Sequence, residues 1–163
     1  MSEIYVNITG YPNYQVSNFG NVKNINTDKI LKGVVGHFGY LVVSLYNSIG
    51  TKSKYIHSLV ADAFISNPEN KKNVDHILKP VINNNVTNLR WATAEENQHN
   101  RIVGKNSTSG VVGVSYIKSE KKWRASIKIN TVCKSLGCFV NKDDAIRARH
   151  DAEILHFGEF RRV

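Results

Sequence analysis

The sequence predicts an α+β chain: a small antiparallel sheet at the N-terminus, a strand–strand–helix core in the middle, and a C-terminal three-stranded sheet packed on one helix. Three observations predict it. Short stretches alternate apolar and polar residues with period two over 14–56 and again over 112–136, broken by Asn and Gly. Two brief strands at 73–77 and 89–92 lead into a helix-capping tetrad. A final helical stripe follows the acids Asp143 and Asp144.

The elements follow in order. Tyr14-Gln15-Val16-Ser17 alternates, Asn18-Phe19-Gly20-Asn21 supplies turn chemistry, and Val22-Lys23-Asn24-Ile25 alternates again. Tyr40–Tyr46 is a longer strand, ended by Asn47-Ser48-Ile49-Gly50, and Lys54-Tyr55-Ile56 pairs back. In His57–Ile65, the residues Leu59, Val60, Ala63 and Phe64 share one helical face, and Asn67-Pro68 stops that helix. His57, at its start, reads as a capping or packing residue, with an approach to the Asp75-His76 stretch as the alternative, and Trp91 reads as core.

Asn73–Ile77 and Leu89–Ala92 are strands on either side of an Asn-rich loop at 83–85. Thr93-Ala94-Glu95-Glu96 is a capping box, which predicts a helix from Ala94 to Arg101. Small polar residues at 104–110 read as a linker. Three strands follow at 112–117, 122–129 and 132–136. Asn141 then caps a helix that runs to Phe157, with Gly158 at its C-terminal end and Ala145, Ala148, Ala152 and Leu155 as its stripe. The expected divisions are 1–52, 53–103, the linker 104–110, and 111–163.

Composition narrows the function classes. Of 163 residues, 41% are apolar and 21% charged, a globular mix. No apolar run approaches the roughly 18–20 residues that cross a bilayer, and the first residues lack the blocks of a secretory signal, so a soluble intracellular protein is expected. The net charge is +9, of which residues 104–163 carry +6, with twelve basic and six acidic side chains. That excess points to a polyanionic partner, held most strongly by the C-terminal third. Cys133 and Cys138 are the only cysteines. They are too few for a disulfide framework or a four-thiolate zinc site, and are expected as buried or half-buried free thiols.

The informative stretch runs from Asp75 to Asn97. Its order is a strand with Asp75-His76, a loop with Asn84 and Asn88, a strand Leu89-Arg90-Trp91-Ala92, then a helix with Asn97. Adjacent residues on a flat strand point to opposite faces, so Asp75 and His76 share a site only where the strand bends or ends. The pattern Val74-Asp75-His76-Ile77, Asn83-Asn84, Asn88-Leu89-Arg90-Trp91-Ala92-Thr93 and Glu96-Asn97 resembles the HNH nucleases, in their phage and intron-associated homing branch. His57-Ser58-Leu59-Val60-Ala61-Asp62-Ala63-Phe64 with Asn67-Pro68 is similar to that branch as well. One departure stands out: the family's Asp-Gly after His-Ile is replaced by Leu78-Lys79-Pro80-Val81-Ile82.

The resemblance implies a ββα-metal core that hydrolyses phosphodiester bonds in double-stranded DNA, nicking one strand as a monomer. It assigns His76 as general base, a role that suits an imidazole. It assigns Asp75 and Asn97 as oxygen ligands of Mg²⁺ or Mn²⁺, with no zinc. Asn88 braces the loop and orients His76, and Asn84 shapes the loop. A phage or mobile-element origin and the interior of a bacterial host are implied too. The altered loop keeps a second reading open, a DNA-binding regulator with a decayed nuclease core.

The flanks carry their own resemblances. Ile8-Thr9-Gly10-Tyr11, Tyr14–Val22, Ile30-Leu31-Lys32 and Gly39-Tyr40-Leu41 resemble the modular DNA-binding motif that precedes such nucleases. Ser109–Val114, Lys122-Trp123-Arg124-Ala125 and Leu136-Gly137-Cys138-Phe139, with the last helix, resemble the plant ethylene-response-type DNA-binding domain. That likeness lays the sheet on DNA, with the helix packed behind. Alternation puts Arg124, Ser126 and Lys128 on one face, open to DNA, and Ala125, Ile127 and Ile129 on the other. Lys118, Lys121, Lys122 and Lys134 are expected at phosphates.

Overall fold

The computed structural model describes residues 2–99 and 107–161, and the backbone alone at His99. The chain divides into two compact units, Met1–Ala94 and Glu95–Val163. It is an α+β protein built on several small antiparallel sheets, as the alternation predicts.

In the first unit, β1 (Tyr5–Ile8), β2 (Tyr11–Ser17), β3 (Val22–Asn24) and β4 (Lys29–Ile30) form one sheet in sequence order. The turn between β2 and β3 is the predicted Asn-Phe-Gly-Asn. Ser17 Oγ accepts from Phe19 N at 3.2 Å and from Asn21 N at 3.0 Å, and Gly20 takes a φ of +89° that side-chain-bearing residues rarely adopt. A second sheet holds β5 (Val34–Val35), β6 (Leu41–Asn47) and β7 (Gly50–Tyr55). The Asn47↔Gly50 pair closes the β6–β7 hairpin at the expected turn. Helix α1 (Ile56–Phe64) follows directly, then the antiparallel pair β8 (Asn73–His76) and β9 (Leu89–Ala92).

One hydrophobic core joins these pieces. Ile8, Tyr11, Val16 and Val22 come from the first sheet, Val43 and Leu45 from the second, and Ile56, Leu59, Val60 and Ala61 from α1. Val74 and Leu89 add the β8–β9 pair. Each large aliphatic side chain buried this way contributes about 1.5–3 kcal/mol, so the four elements stabilise one another. Trp91 packs on this core as expected, and its indole N–H donates to the Ile65 carbonyl at 3.0 Å, which fastens the end of α1 to β9. Strands β4 and β5, two residues each, are too short to show alternation in the sequence.

In the second unit, α2 (Ala94–His99) starts at the boundary between the units. Residues 100 and 101, expected to continue it, lie outside the described residues. The Glu95 carboxylate accepts from Asn130 N at 2.7 Å. Strands β10 (Val114–Ile117), β11 (Lys122–Ile129) and β12 (Val132–Phe139) form a three-stranded sheet in that order, packed on α3 (Lys142–Phe157). Val114, Ala125, Ile127, Ala145, Ala152 and Phe157 fill the space between sheet and helix.

Two expectations change here. Leu155 is 78% exposed rather than part of the buried stripe. The helix turns Ala145, Arg149 and Ala152 inward, because Arg149 is held by Glu153 at 2.7 Å and by the Ser126 carbonyl at 2.7 Å, and Leu155 then falls on the rim. Both cysteines are exposed rather than buried. Cys133 stands opposite Lys128 and Cys138 opposite Arg124, on the sheet face turned away from α3. Among the described residues no helix is long and apolar enough to cross a membrane.

Candidate functional site

The strand β8 ends at His76, so the two neighbours Asp75 and His76 are not held on opposite faces of a continuing strand. Both are buried, at 1% and 2% exposure. Antiparallel register places Asp75 opposite Arg90 and His76 opposite Leu89. Arg90 donates to Asp75 Oδ2 from Nε at 3.0 Å and from Nη2 at 2.8 Å. The guanidinium thus pairs with the carboxylate in a site where an unpaired charge would be very costly.

Beyond His76 the chain leaves the sheet, and Asn88 holds it in place. Asn88 Oδ1 accepts from Leu78 N at 2.8 Å, and its Nδ2 donates to the carbonyls of Leu78 at 3.1 Å and Asn83 at 2.9 Å. The Asn88 carbonyl also accepts from Ile77 N at 2.9 Å. An asparagine suits this position because one amide carries both an acceptor and two donors. The loop so fixed presents Asn84, whose Oδ1 lies 3.1 Å from His76 Nε2. With the amide oxygen facing the ring, the contact matches the imidazole tautomer that carries its proton on Nε2. Asn84 thereby orients the imidazole directly, while Asn88 secures the loop that carries Asn84.

Aromatic rings enclose His76 on its other sides. Tyr40, immediately before β6, stacks on it with centroids 5.7 Å apart, and His57 of α1 meets it edge-on at 5.1 Å. Tyr55 stacks on His57 at 5.3 Å, and Tyr40 contacts both. His57 is not a helix cap. It lies in the first turn, on the face of Val60, Ala61 and Phe64, and its Nδ1 is buried with no hydrogen-bond partner among the described residues. A polar residue at i−3 and i−4 from two core positions is the sequence signal for this placement.

Burial pulls His76 below the ordinary histidine value. The Asn84 hydrogen bond opposes that, Lys79 adds to it, and the Asp75 carboxylate opposes it. Burial, and then His76, pull His57 down to about 4. Both rings are therefore neutral near pH 7, and a neutral His76 is competent as a base. Burial, with the charge of Asp75 next, raises Tyr40, so its phenol keeps its proton.

The structure brings Asp75, His76, Asn84 and Asn88 together at the β8–β9 end of the first unit. Asn97 is half-buried on α2, in the second unit. In that unit Arg124, Ser126 and Lys128 share the face turned away from α3, and Lys118, Lys121 and Lys122 are exposed at the β10–β11 turn. Lys134 pairs with Ile127 and so stands on the helix side, at the exposed edge of β12. The Asp75 carboxylate in the first unit and, separately, the Asn97 amide in the second are each oxygen donors of the kind a hard divalent cation takes. Among the described residues no three His, Cys, Asp or Glu side chains gather at one point.

The NUMOD4 motif matches residues 3–46. An uncharacterized HNH endonuclease, L247, of Acanthamoeba polyphaga mimivirus is 51% identical over 104 residues, covering 60% of this chain and 26% of that protein. The chain spans only about a quarter of the length of that protein and of the mimivirus relative L245. The DNA endonuclease I-HmuI of Bacillus phage SP01 is 36% identical over 116 residues, covering 70% of this chain and 67% of the phage protein. A solved structure describing DNA binding and cleavage by I-HmuI superimposes with a TM-score of 0.56 at 27% identity, over 93% of this chain and 89% of that one.

Proposed function

The chain belongs to the HNH homing endonucleases, and we propose that it cuts one strand of double-stranded DNA by metal-assisted hydrolysis. The observation that carries this reading is the 3.1 Å contact between His76 Nε2 and Asn84 Oδ1, which orients a neutral, buried imidazole beside Asp75. His76 then takes a proton from the attacking water. The new oxygen–phosphorus bond forms as the bond to the 3′ oxygen breaks, giving a 5′-phosphate and a 3′-hydroxyl.

Asp75 and Asn97 are the donors that would hold Mg²⁺ or Mn²⁺, and that cation would supply charge relief at the phosphate and the leaving oxygen. Asn88 and Asn84 keep the imidazole aimed. In the second unit Arg124, Ser126 and Lys128 meet the duplex from the open sheet face, with Lys118, Lys121 and Lys122 at phosphates, in the manner of an ethylene-response-type domain. The N-terminal motif adds a further DNA contact.

The test is nicking of supercoiled plasmid DNA with Mg²⁺ or Mn²⁺ by the wild type and by His76→Ala. The expected result is nicking by the wild type and a loss on the order of 10²–10⁴-fold in the variant. A band shift without nicking in either protein overturns the nuclease reading and leaves a DNA-binding regulator.

A further inference from the structure

We infer that Phe38 is a wedge that enters a base step of the bound duplex beside the scissile phosphate, with Leu78 and Ile82 flanking it. The inference rests on the nuclease reading above.

Phe38 sits at the tip of the turn that joins β5 to β6. Gly36 N donates to the Tyr40 carbonyl at 2.8 Å, and Gly39 N to the Gly36 carbonyl at 3.2 Å, so the turn is closed on itself. Phe38 is 78% exposed, with φ 66° and ψ 11°. The left-handed region is unfavourable for a bulky side chain, and Gly or Asn fits such a tip more easily. Burial does not offset that strain, because the ring faces solvent. Its one described ring contact is His37, edge-on at 4.2 Å.

The position of this tip gives the exposed ring its meaning. Two residues on, Tyr40 stacks against His76. Between them, a β-carbon placed on Gly39 would lie 3.7 Å from Val81 Cγ2, so the turn adjoins the loop that leaves His76. That loop exposes Leu78 at 52% and Ile82 at 48%, with Lys79 between them. Two neighbouring loops therefore carry three exposed apolar side chains and a cation to the edge of the catalytic imidazole.

His76 itself is nearly sealed, at 2% exposure. A kinked backbone brings a phosphate closer to so buried a side chain than a regular duplex does. Apolar side chains that part a base step produce such kinks, and stacked bases offer the flat apolar surface that Phe38 lacks in the free protein. The adjacent phosphates suit Lys79 and the net charge of +9.

The experiment first maps the wild-type nick by sequencing the cut ends. A duplex with 2-aminopurine at the steps around that nick is then titrated with His76→Ala and with His76→Ala/Phe38→Ala. A several-fold rise in fluorescence is expected with the first, little or none with the second, and a partial return with Phe38→Leu in the same background. In otherwise wild-type protein, Phe38→Ala should lower nicking tenfold or more, with affinity changed less than threefold. Phe38 is exposed, so the variants are expected to fold, and matched circular dichroism melts check this. Wild-type nicking with no fluorescence rise, or with Phe38→Ala equal to wild type, overturns the wedge alone. A dimeric wild type made monomeric by Phe38→Ala without loss of nicking assigns the patch to self-association and also overturns it. Absence of any wild-type nicking overturns the nuclease reading, and the wedge falls with it.

Discussion

Gly20 lies directly against Asn84. A methyl group at Gly20 would stand 2.8 Å from Asn84 Cβ and 3.1 Å from its carbonyl oxygen. Two residues further on, Val86 N donates to the Asn18 carbonyl at 2.8 Å. The β2–β3 turn, within the span of the NUMOD4 match, thus backs the residue that orients His76.

Gly20→Ala tests that support. The substitution meets backbone rather than a flexible side-chain tip, and it places a β-carbon at φ +89°. A loss of about 1–3 kcal/mol is expected from the two effects together. Displacement of Asn84 should lower the nicking rate more than tenfold while DNA affinity changes little. Urea denaturation and a comparison of kcat with KM check both. Equal nicking rates would separate the turn from the site.

Arg90→Met tests the cross-strand pair. It leaves the Asp75 carboxylate, 1% exposed, without the guanidinium that holds it. A destabilisation of about 3–5 kcal/mol is expected, as for other buried pairs broken on one side. Asp75→Asn added to Arg90→Met should recover part of the loss, because the buried charge that Arg90 paired with is then gone. Urea midpoints of the three variants and the wild type form the cycle.

Acid should destabilise the fold through His57. Its folded value, about 4, lies below the ordinary 6.5. Above pH 6.5 the ring is neutral in both states and contributes no pH dependence. As pH falls from 6.5 towards 4, the unfolded chain binds a proton that the folded chain refuses. Stability is then lost at about 1.4 kcal/mol per pH unit, for a total of about 3 kcal/mol. His76 is shifted in the same direction and adds to the loss. Urea midpoints at pH 7.5, 6, 5 and 4.5 should fall for the wild type and fall less steeply for His57→Phe.

Much of this architecture is legible because its signals are local. The β8 and β9 strands, the Asn-rich loop between them and the apolar face of α1 follow from period and turn chemistry over a few residues. The pairing of Asp75 with Arg90 depends on a register set across the whole loop, which no local pattern fixes. The meeting of His57 with His76 depends on how α1 packs. In the second unit, the register of β11 and β12 shifts between Ala125 and Ser126, leaving Leu136 as an extra residue. A bulge of this kind resets which side chains oppose one another, so the partners of Cys138 and Arg124 are not readable from alternation alone. Leu155 faces out for a different reason: the Arg149–Glu153 pair occupies the inward face of α3.

The same register makes the open face of the second unit testable by salt. Lys128 and Arg124 point away from α3, whereas Lys134 stands with Ile127 on the helix side. If the open face meets phosphates, Lys128→Ala and Arg124→Ala should each lower the slope of log K against log salt by about one. Lys134→Ala, at a residue that is also exposed and cationic, should change it much less. Fluorescence anisotropy on one duplex from 50 to 200 mM salt, a range of about fourfold over which counterion release is resolved, separates the three. Equal losses at Lys134 and Lys128 would mean that bulk charge attracts DNA to this unit and that the sheet does not dock by its open face.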